Sequence, residues 1–361
     1  MIPGPCDVDE RVLAEMSRQV VAHYGPAWAR FFNETVDRLR AVLRTTGDVF
    51  VYAGSGHLGL DAAIGSLFEP GSAVVAVRNG HFGERLEALA RSHELHVIPC
   101  DAPWGVPVRG EAVAAALDRH PEALGVLVVH GETSTGVLNP VEEIARAVKA
   151  RRRLLVVDAV STAGVAPLET EGWGIDALVT ASQKGLGAPP GLAVVAVSEA
   201  AWAAVDARRA PIRSWSINLA KWREFLRNRE YQPYFISMPV NTVRALRASL
   251  DAIAAEGMAS RIERHRAVSS ALRRGLAALG LVVEAEPECA LPSVTVFRSP
   301  AGVPAPVLRD RIAAQGIAVA TGLGRWQEDR IRVGHMGRNA TPATIERLLT
   351  AIARAVADGS P

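Results

Sequence analysis

From Asp48 to Val197 the chain repeats one pattern, a short apolar β-branched run, a turn, then a stretch with helical spacing. The runs lie at 49–52, 73–77, 126–129, 154–157, 177–179 and 192–197. A strand with one wet face alternates apolar and polar residues, and these runs do not alternate, so both faces must be covered. That predicts an α/β fold with a mostly parallel sheet between layers of helices. Residues 57–68 put Leu60, Ile64, Leu67 and Phe68 on one helical stripe, which Glu69-Pro70-Gly71 stops. After Pro239 the pattern changes to long helices at 240–256 and 258–279, followed by sparser strands such as 293–297. At 361 residues the chain exceeds the roughly 250 at which single cores stop growing. We therefore expect a large domain over 1–256, the N-terminal segment included, and a small C-terminal α+β domain over 257–361.

Charge and cysteine usage exclude several function classes. Lys plus Arg number 40 against 38 acidic residues, too even a balance for a nucleic-acid footprint. The run Arg151-Arg152-Arg153 precedes an apolar strand and reads as a solvated helix end. Cys6, Cys100 and Cys289 are far apart, with no CxxC and no His/Cys cluster, so neither a metal site nor a disulfide framework is expected and a reducing, cytoplasmic setting fits. The opening MIPGPCDVDERVL has neither the charged nor the apolar region of a signal peptide, and no apolar stretch is long enough to cross a bilayer.

Three segments carry chemistry. Ala53-Gly54-Ser55-Gly56-His57 follows a strand and opens a helix, where backbone N–H groups and the helix dipole can bind a phosphate, although small residues suit such a turn on steric grounds alone. Leu154-Leu155-Val156-Val157-Asp158 ends an apolar strand in a carboxylate, at the sheet edge where α/β proteins place ligands; a helix cap or loop acid is the plain alternative. Ser182-Gln183-Lys184-Gly185 sets a lysine just past a strand, ahead of the turn-rich Leu186-Gly187-Ala188-Pro189-Pro190-Gly191. A lone lysine is ordinarily a solvated charge, but an amine in such a recess can form an imine with an aldehyde.

In order and spacing, GSGHLGLDAAI, HGETSTGVLNP and VDAVSTAG with SQKGLGAPPG resemble the class V aminotransferases, most of all the alanine–glyoxylate and serine–glyoxylate (serine–pyruvate) branch. The resemblance runs from Pro3-Gly4-Pro5 to RIRVGHMGRNAT at 331–342, nearly the whole chain. It implies a fold-type I enzyme dependent on pyridoxal 5′-phosphate (PLP), working as a homodimer with shared active sites. It assigns Lys184 to the covalent link with the cofactor and Asp158 to the pyridine nitrogen. Ser55, Gly56, His57 and Gln183 fall in the phosphate region, Val160 on one ring face, Phe82 on the other in place of the family's tryptophan, and Thr133 beside the ring. Tyr234 and Ser237 match residues that reach the phosphate from the partner subunit; without the resemblance Ser237 reads as a helix cap. Arg332 matches the clamp for the substrate α-carboxylate, since a planar fork gives two parallel hydrogen bonds. Arg330 is expected at the surface.

The substrate-side segment around Ala22 and His23 departs from relatives that often carry glycine at the Ala22 position. His81 either enters the pocket or lies on a surface loop, and 213–232, with Trp215 and Trp222, is expected at the pocket entrance. The implied reaction moves an amino group from alanine or serine to glyoxylate or pyruvate. Ureidoglycine–glyoxylate and 2-aminoethylphosphonate–pyruvate transamination are alternatives. Cysteine desulfuration would need Cys289 as nucleophile, in a segment lacking that family's Ser/Gly-rich loop.

Overall fold

A computed structural model describes residues 1–357. In chain order its strands are β1 (Asp48–Ala53), β2 (Ala73–Arg78), β3 (His96–Asp101), β4 (Ala123–Val129), the short hairpin β5 (Gly131–Glu132) and β6 (Val137–Leu138), β7 (Leu154–Asp158), β8 (Ala177–Ala181), β9 (Leu192–Val197), β10 (Val294–Arg298), β11 (Ala320–Thr321) and β12 (Arg330–Gly334). Seven of them form the central sheet in the order β1-β9-β8-β7-β4-β2-β3. β9 runs antiparallel to both its neighbours, β1 and β8, and the remaining pairs are parallel. The mostly parallel α/β sheet expected from the apolar runs is thus present.

One strand escapes that reading. β3 contains Pro99 and mixes exposed with buried residues, because it is an edge strand. A missing N–H is tolerated there, and one face stays wet. Inner strands β8 and β9 are buried along their whole length, as continuous apolar runs require.

The helix Gly56–Leu67 lies directly on this sheet. It buries Gly59, Leu60, Ala63, Ile64 and Leu67. A Cβ at Gly59 would meet Val179 Cγ1 of β8 at 2.7 Å, so glycine sets how closely helix and sheet approach.

The helices Val240–Glu256 and Met258–Ala278 meet at Gly257, whose φ of 80° suits glycine. Beyond it β10, β12 and β11 form an antiparallel sheet with β12 in the centre. Leu272, Phe297, Ile331, Leu348 and Ile352 belong to a core of their own, separate from the one around the large sheet. The N-terminal segment bridges the two: Met1 packs on the smaller core and its carbonyl accepts from Gly334 N at 2.8 Å. Among the described residues no helix is long and apolar enough to cross a membrane.

Candidate active site

Strands β1, β4, β7 and β8 run in one direction, so Ala53, Val129, Asp158 and Ala181 all end at the same edge of the sheet. The loops that follow them enclose one pocket. Its walls hold Ser55, Gly56, His57, Phe82, Thr133, Asp158, Val160, Gln183 and Lys184, together with Leu60, Val129, Gly131 and Ser161. Residues separated by up to 129 positions, Ser55 to Lys184, are brought together by the parallel topology alone.

On one side the helix Gly56–Leu67 presents its N-terminus. Ser55 is the N-cap in extended conformation and its hydroxyl caps no helix N–H; Leu58 N donates to Ser55 O at 2.9 Å, while the N–H groups of Gly56 and His57 make no hydrogen bond among the described residues. The Gln183 side-chain oxygen is buried without a hydrogen-bond partner. A Cβ on Gly56 would come within 2.8 Å of Val160 Cγ2, so glycine keeps the space beside Val160 open.

Asp158 closes the floor. One carboxylate oxygen accepts from Val160 N at 2.9 Å. Burial pushes its carboxyl up to about 6, against the pull of that N–H and of the Lys184 ammonium.

Lys184 sits in a loop that has little freedom. Ser182 Oγ donates to Pro189 O at 2.6 Å, Gly187 N donates to Lys184 O at 2.8 Å, and Arg261 donates to Gly185 O at 2.9 Å. The Lys184 ammonium donates to Pro3 O, and a Cβ on Gly4 would fall 2.5 Å from Lys184 Cε. The Pro3-Gly4 backbone is thus a lid on the lysine. Burial first, and the Arg332 charge second, hold the Lys184 amine down to about 8, with Asp158 opposing. A larger share of the neutral, nucleophilic amine is present near neutral pH than for a solvated lysine.

Arg332 is buried on β12, opposite Val296 of β10 and Ala320 of β11. Its Nε donates to Thr321 O at 2.8 Å, which fixes the guanidinium by its inner edge. Burial lowers it to about 10, with Glu132 opposing. Arg330, expected at the surface, is instead buried: it pairs with Glu284 and Asp329 and lies over the Trp326 ring at 5.0 Å. Alternate residues of a strand covered on both faces are all buried, and Arg330 is neutralised where Arg332 is not.

The other candidates lie elsewhere in the chain. The Tyr234 hydroxyl accepts from Trp28 Nε1 and donates to His23 O, so it is engaged within its own protomer. Ser237 and Ala22 are exposed, and the His23 ring stacks beside Tyr234 with centroids 6.0 Å apart. His81 opens the helix His81–Ser92, half-buried, with Nε2 facing Arg85 at 3.1 Å. Within the chain, 213–232 packs on β1 rather than on this pocket: Trp222 is buried against Tyr52, centroids 4.1 Å apart, and Trp215 is 60% exposed. Cys289 is buried with Val137 and Ala285, outside the pocket lining.

Sequence reasoning missed Ser161, Pro3, Gly4 and Glu132. Glu132 stands next to Thr133 in the same HGETSTG segment, but nothing in the pattern tells a buried acid from an exposed one.

The family model for aminotransferase class-V matches residues 10–338. An uncharacterised aminotransferase of Methanocaldococcus jannaschii is 34% identical over 338 residues, 93% of this chain and 87% of the relative. The L-aspartate–glyoxylate aminotransferase of Paracoccus denitrificans is 33% identical, over 97% of this chain and 89% of its own. The crystal structure of an alanine–glyoxylate aminotransferase from Nostoc sp. superposes with a TM-score of 0.93 at 30% identity, covering 99% of this chain and 94% of that one. With its sheet, its pocket-edge lysine and carboxylate, and this similarity over nearly its full length, the chain belongs to the class V aminotransferases and is a transaminase of PLP fold type I.

Proposed function

We propose that the pocket binds PLP through Lys184 and that the enzyme transfers the amino group of a small amino acid, alanine or serine, to glyoxylate or pyruvate. The observation that carries this reading is the convergence of Lys184 and Asp158 on one pocket whose other walls suit the cofactor. The lining fits the group: the Gly56 and His57 N–H groups and the Ser55 hydroxyl as donors to a phosphate, the Gln183 oxygen as an unpartnered acceptor, Val160 and Phe82 for the faces of a flat ring, and a buried carboxylate to accept from a ring N–H⁺. When bound, PLP supplies an electron sink for the bond broken at the substrate Cα. The protein supplies the rest. Asp158 holds a proton on the ring nitrogen, Lys184 Nζ takes and returns the Cα proton, and Arg332 grips the α-carboxylate so that the Cα–H bond faces Lys184.

Arg332 favours substrates with an α-carboxylate over 2-aminoethylphosphonate, while ureidoglycine keeps that group and stays an alternative. We further propose that a homodimer is the active unit, with Ser237, Ala22 and His23 delivered to the partner's pocket. Val20, Val21 and Tyr24 are exposed at 62%, 44% and 48%, an apolar strip beside these residues that a second copy would cover.

Donor screening by half-reaction tests the reading: alanine and serine should bleach the Lys184-dependent visible absorbance, and glyoxylate or pyruvate should restore it. Lys184→Ala should abolish both signals while the fold persists. Arg332→Lys keeps the charge and loses the fork, so kcat/KM for alanine should fall by about 2–4 kcal/mol of transition-state stabilisation. A wild-type preference for 2-aminoethylphosphonate over alanine and serine would overturn the assignment.

A further inference from the structure

Glu132 is a buried acid that the mechanism above leaves without a task. It ends β5 at the turn of the short β5–β6 hairpin, with no exposed surface. One carboxylate oxygen accepts from Phe82 N and Gly83 N, each at 3.0 Å. The other accepts from Ser134 N at 3.0 Å and Ser134 Oγ at 2.6 Å. Ser134 Oγ in turn accepts from His81 N at 2.9 Å. The first three N–H groups of the helix His81–Ser92 are therefore all satisfied by two side chains of one distant segment, and none by a residue before the helix. Gly80, the N-cap, has no room for a side chain, because a Cβ there would run into Glu132 Cγ. This helix start carries Phe82, whose ring lines the pocket with Lys184 and Asp158.

The same segment reaches the carboxylate clamp. Gly136, at φ 77°, closes the hairpin turn against β10: a Cβ there would lie 3.2 Å from Val296 Cγ2, and Val296 is the residue paired with Arg332 on β12. Every neighbour of the Glu132 carboxylate is a donor and the positive end of the helix faces it, which favours the ionised form. Burial is the larger influence and raises the carboxyl above the usual range, with the hydrogen bonds from Ser134, Gly83 and Phe82 opposing it. The Glu132 charge also acts on Arg332.

We infer that Glu132 is a positioning residue with two outputs: it holds the Phe82 ring in the plane the cofactor needs, and its negative charge moderates the grip of Arg332 on the substrate carboxylate. Helix start and hairpin are joined through one carboxylate whose charge acts on the clamp, so shape and charge can be separated by substitution. Glu132→Asp keeps the charge but is one methylene short of spanning Phe82 N and Ser134. Glu132→Gln keeps the length, loses the charge, and turns a donor toward the Ser134 N–H. The inference rests on the PLP-transaminase reading.

The test uses PLP-loaded enzyme and four readouts: thermal midpoint, the visible circular dichroism of the bound chromophore, the inhibition constant of propionate as an unreactive carboxylate, and kcat and KM for the best donor. In Glu132→Asp the visible dichroism should change and kcat fall about tenfold, with propionate inhibition within about twofold of wild type. In Glu132→Gln propionate should bind tighter by on the order of three- to tenfold and KM should fall, while kcat also drops. Ser134→Ala, which removes one link and no charge, should change the dichroism without altering propionate binding, and it decides the matter if the Glu132 variants do not fold. Unchanged dichroism and unchanged propionate binding in the folded variants, with kcat losses no larger than the loss of folded protein, would make Glu132 a purely structural cap. A wild-type protein without Lys184-dependent absorbance would overturn the transaminase reading and this inference with it; normal wild-type absorbance beside silent variants overturns the inference alone.

Discussion

Asp158 shows what a site costs before its ligand arrives. Its carboxyl is buried with one backbone donor and is raised from 3.8 to about 6, so between those values the folded apoprotein binds more protons than the unfolded chain. Stability must then fall as pH rises through that window, and the deficit persists above it. Asp158→Asn removes the ionisation. At pH 7 the apo variant should be more stable than wild-type apoprotein by about 1–2 kcal/mol, a value kept low because Lys184 loses its opposite charge. The advantage should vanish below pH 4 or so, where both carboxyls are neutral. Chemical denaturation of the apo forms at pH 4 and pH 7 checks this, and a variant that is less stable at pH 7 would mean that Asp158 is fully compensated without cofactor. In the PLP-loaded enzyme the order should reverse, since the amide cannot balance a protonated ring nitrogen. The roles proposed for Asp158 and Lys184 came from the family resemblance, while their positions, at the end of an apolar strand and in the loop just past one, were legible in the sequence. Glu132 and Arg330 were not: whether an acid or an arginine beside a turn is buried depends on what packs over it, and here that cover comes from the helix His81–Ser92 and from Glu284.

At the level of elements, the contact between the helix Gly56–Leu67 and the sheet positions the Ser55-Gly56 turn, which we propose binds the cofactor phosphate. Gly59 is its closest approach, 2.7 Å from Val179 Cγ1 and 3.2 Å from Val195 Cγ2 for an added Cβ. Gly59→Val should push the helix outward and carry Ser55 and Gly56 with it. We expect a loss of about 1–3 kcal/mol in stability and a weaker PLP dissociation constant. Calorimetry and PLP titration of the apoprotein measure the two effects. A variant as stable as wild type with unchanged PLP affinity would show that the helix is not held at that point. Most elements could be read from periodicity, including the two long helices at 240–256 and 258–278, whose junction at Gly257 a helix-breaking residue announces. The strand β3 could not, because an edge strand has a wet face and admits proline, so its pattern resembles a loop.

The whole molecule poses the question of where one active site ends. The chain brings Lys184, Asp158 and Phe82 to one pocket by itself, with the Arg332 charge acting on Lys184, but leaves Ser237 and Ala22 exposed. If the dimer shares its sites, mixing Lys184→Ala subunits with Ser237→Asp subunits, each weak alone, should restore activity. Random exchange at equal amounts gives about a quarter of the wild-type site count, since only one site in each heterodimer is intact. Tagged subunits verify the exchange, and verified heterodimers without recovered activity would place the phosphate contacts within one chain. Tyr234 makes a poor partner for Ser237 in this test, because its hydroxyl links Trp28 and His23 within one protomer. By itself the sequence determined the α/β class, the apolar strands, the aspartate that ends one of them and the lysine in the loop after another, since periodicity and position relative to a strand are local properties written into consecutive residues. Only the tertiary structure decided the order of the strands, the lid that Pro3 and Gly4 lay over Lys184, and the charge that Glu132 sets beside Arg332. The lid contact joins residues 181 positions apart and the Glu132–Arg332 pair residues 200 apart, and proximity across such separations comes from packing, which no local pattern encodes.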